Sequence, residues 1–361
     1  PIVFTKFLLE NVAFISLEDM AESLPGYTEI PIGVDMDDEL MEAYMHLETA
    51  IHDSFSSHDR TSRGSIKTLS QMIQSLSIYP DQPYDQPPIV DPDTGNIVVA
   101  PEELSHDYRN KEMTLLNIVQ EKVDNGEKVL VYYSWPNRTE LGEKLPRLFA
   151  ENDIKAVTLK ASVKSSEREA WIKKQVEEEN IDVLVVNPSL VDTGLDLLDF
   201  TTIVFYQVGY NLFTMRQASR RSWRLSQTKD VEVYYMYYKR TVQEQALSLM
   251  ATKLQAAMAI EGKFSEEGLN AMSNNEDVLT QIASSVAEGI KDEVDAEVFK
   301  KCEKKSSEAV LSAEKERSID KPINREVTIL DTYKEKKRTL KAVSSEEKEY
   351  LNLRNAMTLF A

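Results

Sequence analysis

The stretch Gln217-Ala218-Ser219-Arg220-Arg221-Ser222-Trp223-Arg224-Leu225-Ser226-Gln227 decides how the rest of this chain is read. Taken as a helix, it places Gln217, Arg221 and Arg224 at offsets of four and three, on one face. Met215, Ala218, Ser222 and Leu225 fall on another face, smaller and more apolar, suited to packing on a sheet. Two permanently charged guanidinium forks and an amide aimed the same way suit a polyanion such as the triphosphate of a nucleotide. Between Met215 and Arg240 stand seven Lys/Arg and two acids, Asp230 and Glu232. A solvated basic helix has the same composition. The neighbouring blocks decide between the two readings.

Outward from this stretch, strand and helix patterns alternate. Helix Glu112–Asn125 ends at Gly126, a good C-terminal stop. Lys128–Ser134 is a nearly continuous apolar run, typical of a strand covered on both faces. A helix is predicted from Pro136 to Asn152, then strand Lys155–Leu159 and a helix from about Ser166 to Glu178. Strands Ile181–Val186 and Thr202–Tyr206, the basic helix, strand Val231–Tyr238 and helix Val242–Ile260 complete the series. Strand-helix alternation at this spacing predicts an α/β fold: a mainly parallel sheet with helices on both faces. Ligands of such sheets bind beyond the carboxyl ends of the strands. The loops that follow strands are therefore the places to seek chemistry.

Upstream, a Leu24-Pro25-Gly26 turn precedes a predicted strand Tyr27–Val34, and helices are expected over Asp37–Ser54 and Ile66–Leu76. Pro80, Pro83, Pro87 and Pro88 interrupt regular structure. Ile89–Pro101 reads as a hairpin turning on Asp93-Thr94-Gly95-Asn96. We divide the chain into an acidic linker and helical bridge with a Pro-rich hairpin insertion (1–110), an α/β lobe (111–264) and a charged helical C-terminal extension (265–361). The extension, including Asp277–Lys305 and Glu346–Leu359, is expected to be a solvated tail or a partner-dependent one.

Composition limits the possible functions. The 361 residues are 42% hydrophobic, no window approaches a membrane span, and no signal peptide is visible. No membrane association is expected. The single cysteine, Cys302, rules out an internal disulfide and points to a reducing compartment. His46, His52, His58 and His106 all lie in the first third with no metal-site spacing, so no metal site is expected within this chain. A net charge of -19 argues against nucleic acid until its distribution is read. Residues 1–110 hold 20 acids against 5 bases, residues 265–361 hold 20 against 16, and the middle segment balances at 21 against 21. The acidity belongs to the flanks. The chain opens Pro1-Ile2-Val3-Phe4 without a start methionine, from which we expect a piece of a longer protein.

These blocks together resemble the second RecA-like lobe of a superfamily-two helicase, most closely the Swi/Snf-like DNA translocases. Lys128-Val129-Leu130-Val131-Tyr132-Tyr133-Ser134 resembles that family's "KVLIFS" strand, and Ser166-Glu167-Arg168 its "EER". Asp182–Asn187 running into Thr193-Gly194-Leu195-Asp196-Leu197 resembles the fifth helicase motif. Thr202–Tyr206 stands for "TVIFYD", Tyr210-Asn211 for "WN", and Gln217–Gln227 for the sixth motif, "QAxxRxxRxxQ". Tyr238–Glu244 resembles the "GTIEE" turn, and Leu24–Thr28 the "LPPK" linker between lobes. The order and spacing of the blocks make the resemblance specific. Leu190-Val191-Asp192 departs from it, since the family has small residues and paired glycines there.

The resemblance implies that Arg221 and Arg224 are arginine fingers reaching an ATP held mainly, with its Mg2+, by a missing N-terminal lobe. Such fingers are typically worth about 10³–10⁵ in rate. Gln217 is then expected to orient the phosphate or its water, Gly194 to permit close backbone approach, and Asp196 to accept from a ribose hydroxyl. Double-stranded DNA is the implied polymer, held through its phosphates. The implied contacts are Ser134, Trp135, Asn137 and Arg138, then Lys160, Ala161, Ser162 and Lys164, then Ser189. Arg168 is expected to be structural, and a cytoplasmic, nucleoid-associated setting follows.

Half of a nucleotide site is missing. There is no GxxxxGK[ST] loop, since Gly262-Lys263 is followed by Phe264 and Ala257 occupies the first glycine's place. No acidic "DExH" strand is present either. This chain alone is therefore expected to hydrolyse ATP negligibly. The rival reading is a non-catalytic protein-interaction module with a parallel-sheet fold, its acidic flank binding a partner. A Walker loop and a DExH motif within the preceding few hundred residues of the gene favour the motor, and their absence favours the module.

Overall fold

The computed structural model describes residues 24–57, 63–91, 95–191, 195–209 and 211–260. Residues 1–23 and the extension 265–361 lie outside them, as do Asp93, Thr94, Gly194 and Tyr210.

A six-stranded, all-parallel sheet organises the described residues. Its strands are β1 (Tyr27–Val34), β4 (Lys128–Tyr132), β5 (Ala156–Leu159), β6 (Val183–Val186), β7 (Phe200–Phe205) and β8 (Val231–Tyr238), in the order β1-β8-β7-β4-β6-β5. A two-stranded antiparallel hairpin, β2 (Ile89–Val90) with β3 (Ile97–Val99), stands apart. The central strands are the unbroken apolar runs: every residue of β6 and β7, and all of β4 after Lys128, is buried. Only a strand covered on both faces buries consecutive side chains in this way. The edge strands β1 and β5 are mostly half-buried. Pro31 sits in β1, opposite Tyr235, and an edge strand is where a residue lacking an N–H is tolerated. The segment read as a linker thus contributes an edge strand, since all eight residues of β1 pair with β8.

The helices are α1 (Asp38–Ser57), α2 (Arg63–Ile78), α3 (Asn110–Asp124), α4 (Leu141–Ala150), α5 (Arg168–Glu177), α6 (Leu212–Ser219) and α7 (Val242–Ile260). The Glu112 carboxylate accepts the Arg109 N–H at 2.7 Å and so closes the start of α3. Gly126, at φ 75°, ends the same element in the left-handed region. No described helix is long and apolar enough to cross a membrane.

Two predicted helix boundaries are corrected. The helix expected from Pro136 begins at Leu141, because the N–H groups of Arg138 and Thr139 both turn back to the Trp135 carbonyl, at 2.9 and 3.1 Å. Pro146 sits inside α4 and leaves the Gly142 carbonyl without its helical donor. The Thr158 hydroxyl on β5 donates to that carbonyl at 2.5 Å, so the defect ties helix to sheet. The second correction concerns α6 and bears on the site.

Candidate nucleotide and nucleic-acid interface

The basic helix ends at Ser219, after only eight residues. Asn211 caps its start, its side chain accepting the Thr214 N–H at 3.0 Å. The expected continuation through Leu225 does not form. Gln217, Arg221 and Arg224 therefore do not share a helical face: Gln217 is on α6 and both arginines lie beyond it. The cause is local. Ser219, Ser222 and Ser226 favour bonds to nearby backbone over helix, and the chain has better partners outside the helix. The Ser219 hydroxyl donates to Arg216 O at 3.0 Å and that of Ser222 to Leu197 O at 2.8 Å. The Gln227 amide donates to Leu198 O at 2.9 Å and Ser222 O at 3.0 Å. The turn after α6 is pinned to the strip Leu195–Leu198 that leads into β7.

Both arginines lie against that strip. Arg221 is buried, at 6% exposure, and its guanidinium Nη1 donates to Leu195 O at 3.3 Å. Its own carbonyl accepts the Leu197 N–H at 3.4 Å. Arg224 is half-open, with Nε 3.2 Å from Asp196 Oδ1. Asp196 is thus engaged by Arg224. Gln217 is half-buried in the last turn of α6. Burial raises the Tyr132 phenol, and the Arg221 charge opposes that shift. Gly194 lies outside the described residues.

The proposed phosphate contacts follow three neighbouring strands. After β4, Ser134 and Trp135 are half-buried and Asn137 and Arg138 exposed. Trp135 adopts φ 53°, uncommon for a bulky residue. After β5, Lys160, Ala161, Ser162 and Lys164 are all exposed, with Lys160 facing Glu143 at 3.1 Å and Lys164 facing Glu167 at 3.6 Å. After β6, Ser189 is exposed, its hydroxyl donating to Asn187 Oδ1 at 2.5 Å. Because β4, β6 and β5 are consecutive in the sheet, these loops follow one another along its carboxyl edge. Arg168 joins two of them, donating to Val163 O at 3.1 Å and Leu190 O at 2.9 Å. Its partners are backbone carbonyls.

Sequence reasoning missed the group beneath the β4 loop. Gln207, two residues past β7, accepts the Ser134 N–H at 3.0 Å and donates to Asp81 Oδ2 at 3.0 Å. Asp81 also accepts from Lys111 Nζ at 2.8 Å and Gln243 Nε2 at 2.9 Å. Lys111 and Asp81 are fully buried. Burial depresses the Lys111 amine and the Asp81 carboxylate counters it, while the Tyr206 and Tyr238 rings lie 4.8 and 5.3 Å from the cation. Periodicity gives no signal for such a cluster, because its members come from the Pro-rich stretch, a helix start, the chain just past a strand and a second helix. Among the described residues, no group of three or more His, Cys, Asp or Glu comes together as a metal site.

The helicase conserved C-terminal domain family matches residues 110–226, from the start of α3 to the residue before Gln227. Residues 110–226 are thus similar to a helicase C-terminal domain, the lobe that the sequence blocks resemble. The match runs through β4 to β7 and includes both arginines of the turn. Relatives agree with it. The lobe is 26% identical over 168 residues to the ATP-dependent helicase FUN30 of Saccharomyces cerevisiae, covering 46% of this chain and 14% of that protein. To the helicase SWR1 of the same yeast it is 22% identical over 249 residues, covering 67% of this chain and 16% of that protein. To the chromatin-remodeling ATPase INO80 of Mycosarcoma maydis it is 23% identical over 210 residues, covering 57% and 11%. This chain thus spans a small fraction of the length of the relatives it matches. In fold, it is similar to the crystal structure of the C-terminal part of the Fun30 ATPase domain. That likeness has a TM-score of 0.53 and 16% identity, covering 74% of this chain and 98% of that one.

Proposed function

We propose that this lobe is the second half of an ATP-dependent DNA translocase, in which Arg221 and Arg224 face an ATP held by a first lobe. The observation that carries the reading is the seating of both guanidinium groups, from one turn, on the single strip Leu195–Leu197. Two guanidinium forks fixed on a common support fit a triphosphate as a donor set. The Gln217 amide, at the end of the preceding helix, adds a neutral donor for phosphate or water. Asp196 has two duties in this reading: it orients Arg224 and accepts from a ribose hydroxyl. ATP supplies the phosphoryl group whose charge must be neutralised, and the arginines place fixed positive charge beside it without reorganisation. Mg2+ and the main phosphate cradle belong to the first lobe, so this chain alone is expected to turn over ATP negligibly.

The polymer in this reading is double-stranded DNA. Its backbone runs along the loops after β4, β6 and β5, where Ser134, Trp135, Asn137, Arg138, Lys160, Ser162, Lys164 and Ser189 are half-buried or exposed. Short polar side chains and lysines suit phosphates, which position a strand without reading its sequence. The experiment is duplex binding by fluorescence anisotropy across a salt series. Each phosphate contact contributes about 0.9 to the slope of log K against log salt. Lys160→Ala with Lys164→Ala should reduce the slope by roughly 2. An unchanged slope contradicts the DNA path.

A further inference from the structure

Residues of the turn after α6 alternate between two supports. Arg221 and Arg224 lie on the strip Leu195–Leu197, whereas Arg220 and Trp223, each one residue earlier, lie on the segment leading into β1. The Trp223 indole N–H donates to Pro25 O at 2.9 Å, and its ring lies 5.1 Å from that of Tyr27. The Arg220 guanidinium sits 5.6 Å from the Tyr27 ring and 5.5 Å from the Trp223 ring. A cation over two aromatic faces is attracted by both. Trp223 is 6% exposed, so its single polar atom needs the partner it has. The approach segment is fixed at its other side as well: Gly26 N–H donates to Asp230 Oδ1 at 2.7 Å and Gly26 O accepts Val231 N–H at 2.8 Å. A Cβ at Gly26 would come within 3.1 Å of the Asp230 carboxyl, so a larger residue would require that carboxyl to give by a few tenths of an ångström.

We infer that Trp223 and Arg220 are positioning residues: they latch the turn carrying Arg221 and Arg224 to the chain entering β1, so that the approach segment sets where those arginines stand. This rests on the finger reading above. With one pair of side chains on the sheet strip and the alternate pair on Pro25–Tyr27, the turn cannot slide along either support without leaving the other. A displacement of about 1 Å at a catalytic group can cost on the order of 100-fold in rate. The latch therefore acts on turnover and only weakly on nucleotide affinity.

The test compares Trp223→Ala, Trp223→Phe, Arg220→Met and Arg221→Ala in the full-length protein, reading kcat, KM and the Kd of ATP, with amide hydrogen exchange over 195–225. Trp223→Ala should lower kcat by about 10- to 100-fold while Kd changes by less than about threefold. Trp223→Phe, which keeps one aromatic ring but loses the N–H and the second fused ring, should recover part of the rate. The amides of Arg221 and Leu197 should exchange faster in Trp223→Ala. If Trp223→Ala unfolds, Trp223→Phe and Arg220→Met carry the same criteria at smaller amplitude. Parental kcat and exchange in the Trp223 and Arg220 variants, beside an inactive Arg221→Ala, overturns the latch alone. A fully active Arg221→Ala overturns the finger reading and the latch with it.

Discussion

Arg224 and Asp196 form an ion pair, 3.2 Å from guanidinium Nε to carboxylate Oδ1, with 43% and 60% of the two side chains exposed. The pair joins the turn after α6 to the strip before β7 in water, where such contacts are worth about 0–1 kcal/mol. Asp196→Asn should therefore shift unfolding free energy in urea by less than about 1 kcal/mol. A loss above about 3 kcal/mol would mean that Asp196 is a structural pillar.

The Lys111–Asp81 pair is the opposite case. Both side chains are fully buried at 2.8 Å, with Gln207 and Gln243 completing the carboxylate's partners. Removing one charge leaves the other buried and uncompensated, which costs about 3–5 kcal/mol. Lys111→Met and Asp81→Leu should each destabilise by that order, and the double variant by clearly less than their sum. Additive losses in urea titrations would show that the two charges do not depend on one another. Because Gln207 also holds the Ser134 N–H at 3.0 Å, Asp81→Leu should speed exchange of that amide.

Alkaline pH should unfold the lobe through its tyrosines. Burial holds the phenols of Tyr27, Tyr206, Tyr235 and Tyr238 well above the ordinary 10.0, and those of Tyr84 and Tyr237 at about 12. A folded-state pKa raised above the unfolded value gives stability that is complete below pH 10 and lost as pH rises toward the folded values. Unfolding free energy should fall steadily above pH 10. Phenolate absorbance from the buried tyrosines should appear only with loss of helical circular dichroism. Full titration near pH 10 with the fold intact would contradict their burial.

Much of the architecture could be read from the chain. β1 and β8 fall where alternation and apolar runs placed them, because side-chain burial on a sheet writes itself directly into sequence. The errors arose where tertiary contacts outcompeted local pattern. Offsets of four and three linked Gln217, Arg221 and Arg224, yet bonds from Ser222 and Gln227 to Leu197 and Leu198 draw the chain out of the helix after Ser219. Pro136 reads as a helix start, yet the Trp135 carbonyl captures the next amides. The strip Leu195–Leu197 that seats Arg221 and Arg224 remained legible as a block of sequence. Asp81, Lys111, Gln207 and Gln243 did not, since a buried polar cluster assembled from four distant segments leaves no periodic trace.

The most direct measurement is single-turnover hydrolysis and ATP binding side by side for Arg221→Ala and Arg224→Ala in the full-length protein. Each is expected to lose about 10³-fold or more in rate while binding ATP within a few-fold of the parent. Loss of binding in proportion to loss of turnover, or rates that survive both substitutions, would contradict a finger role for these two arginines.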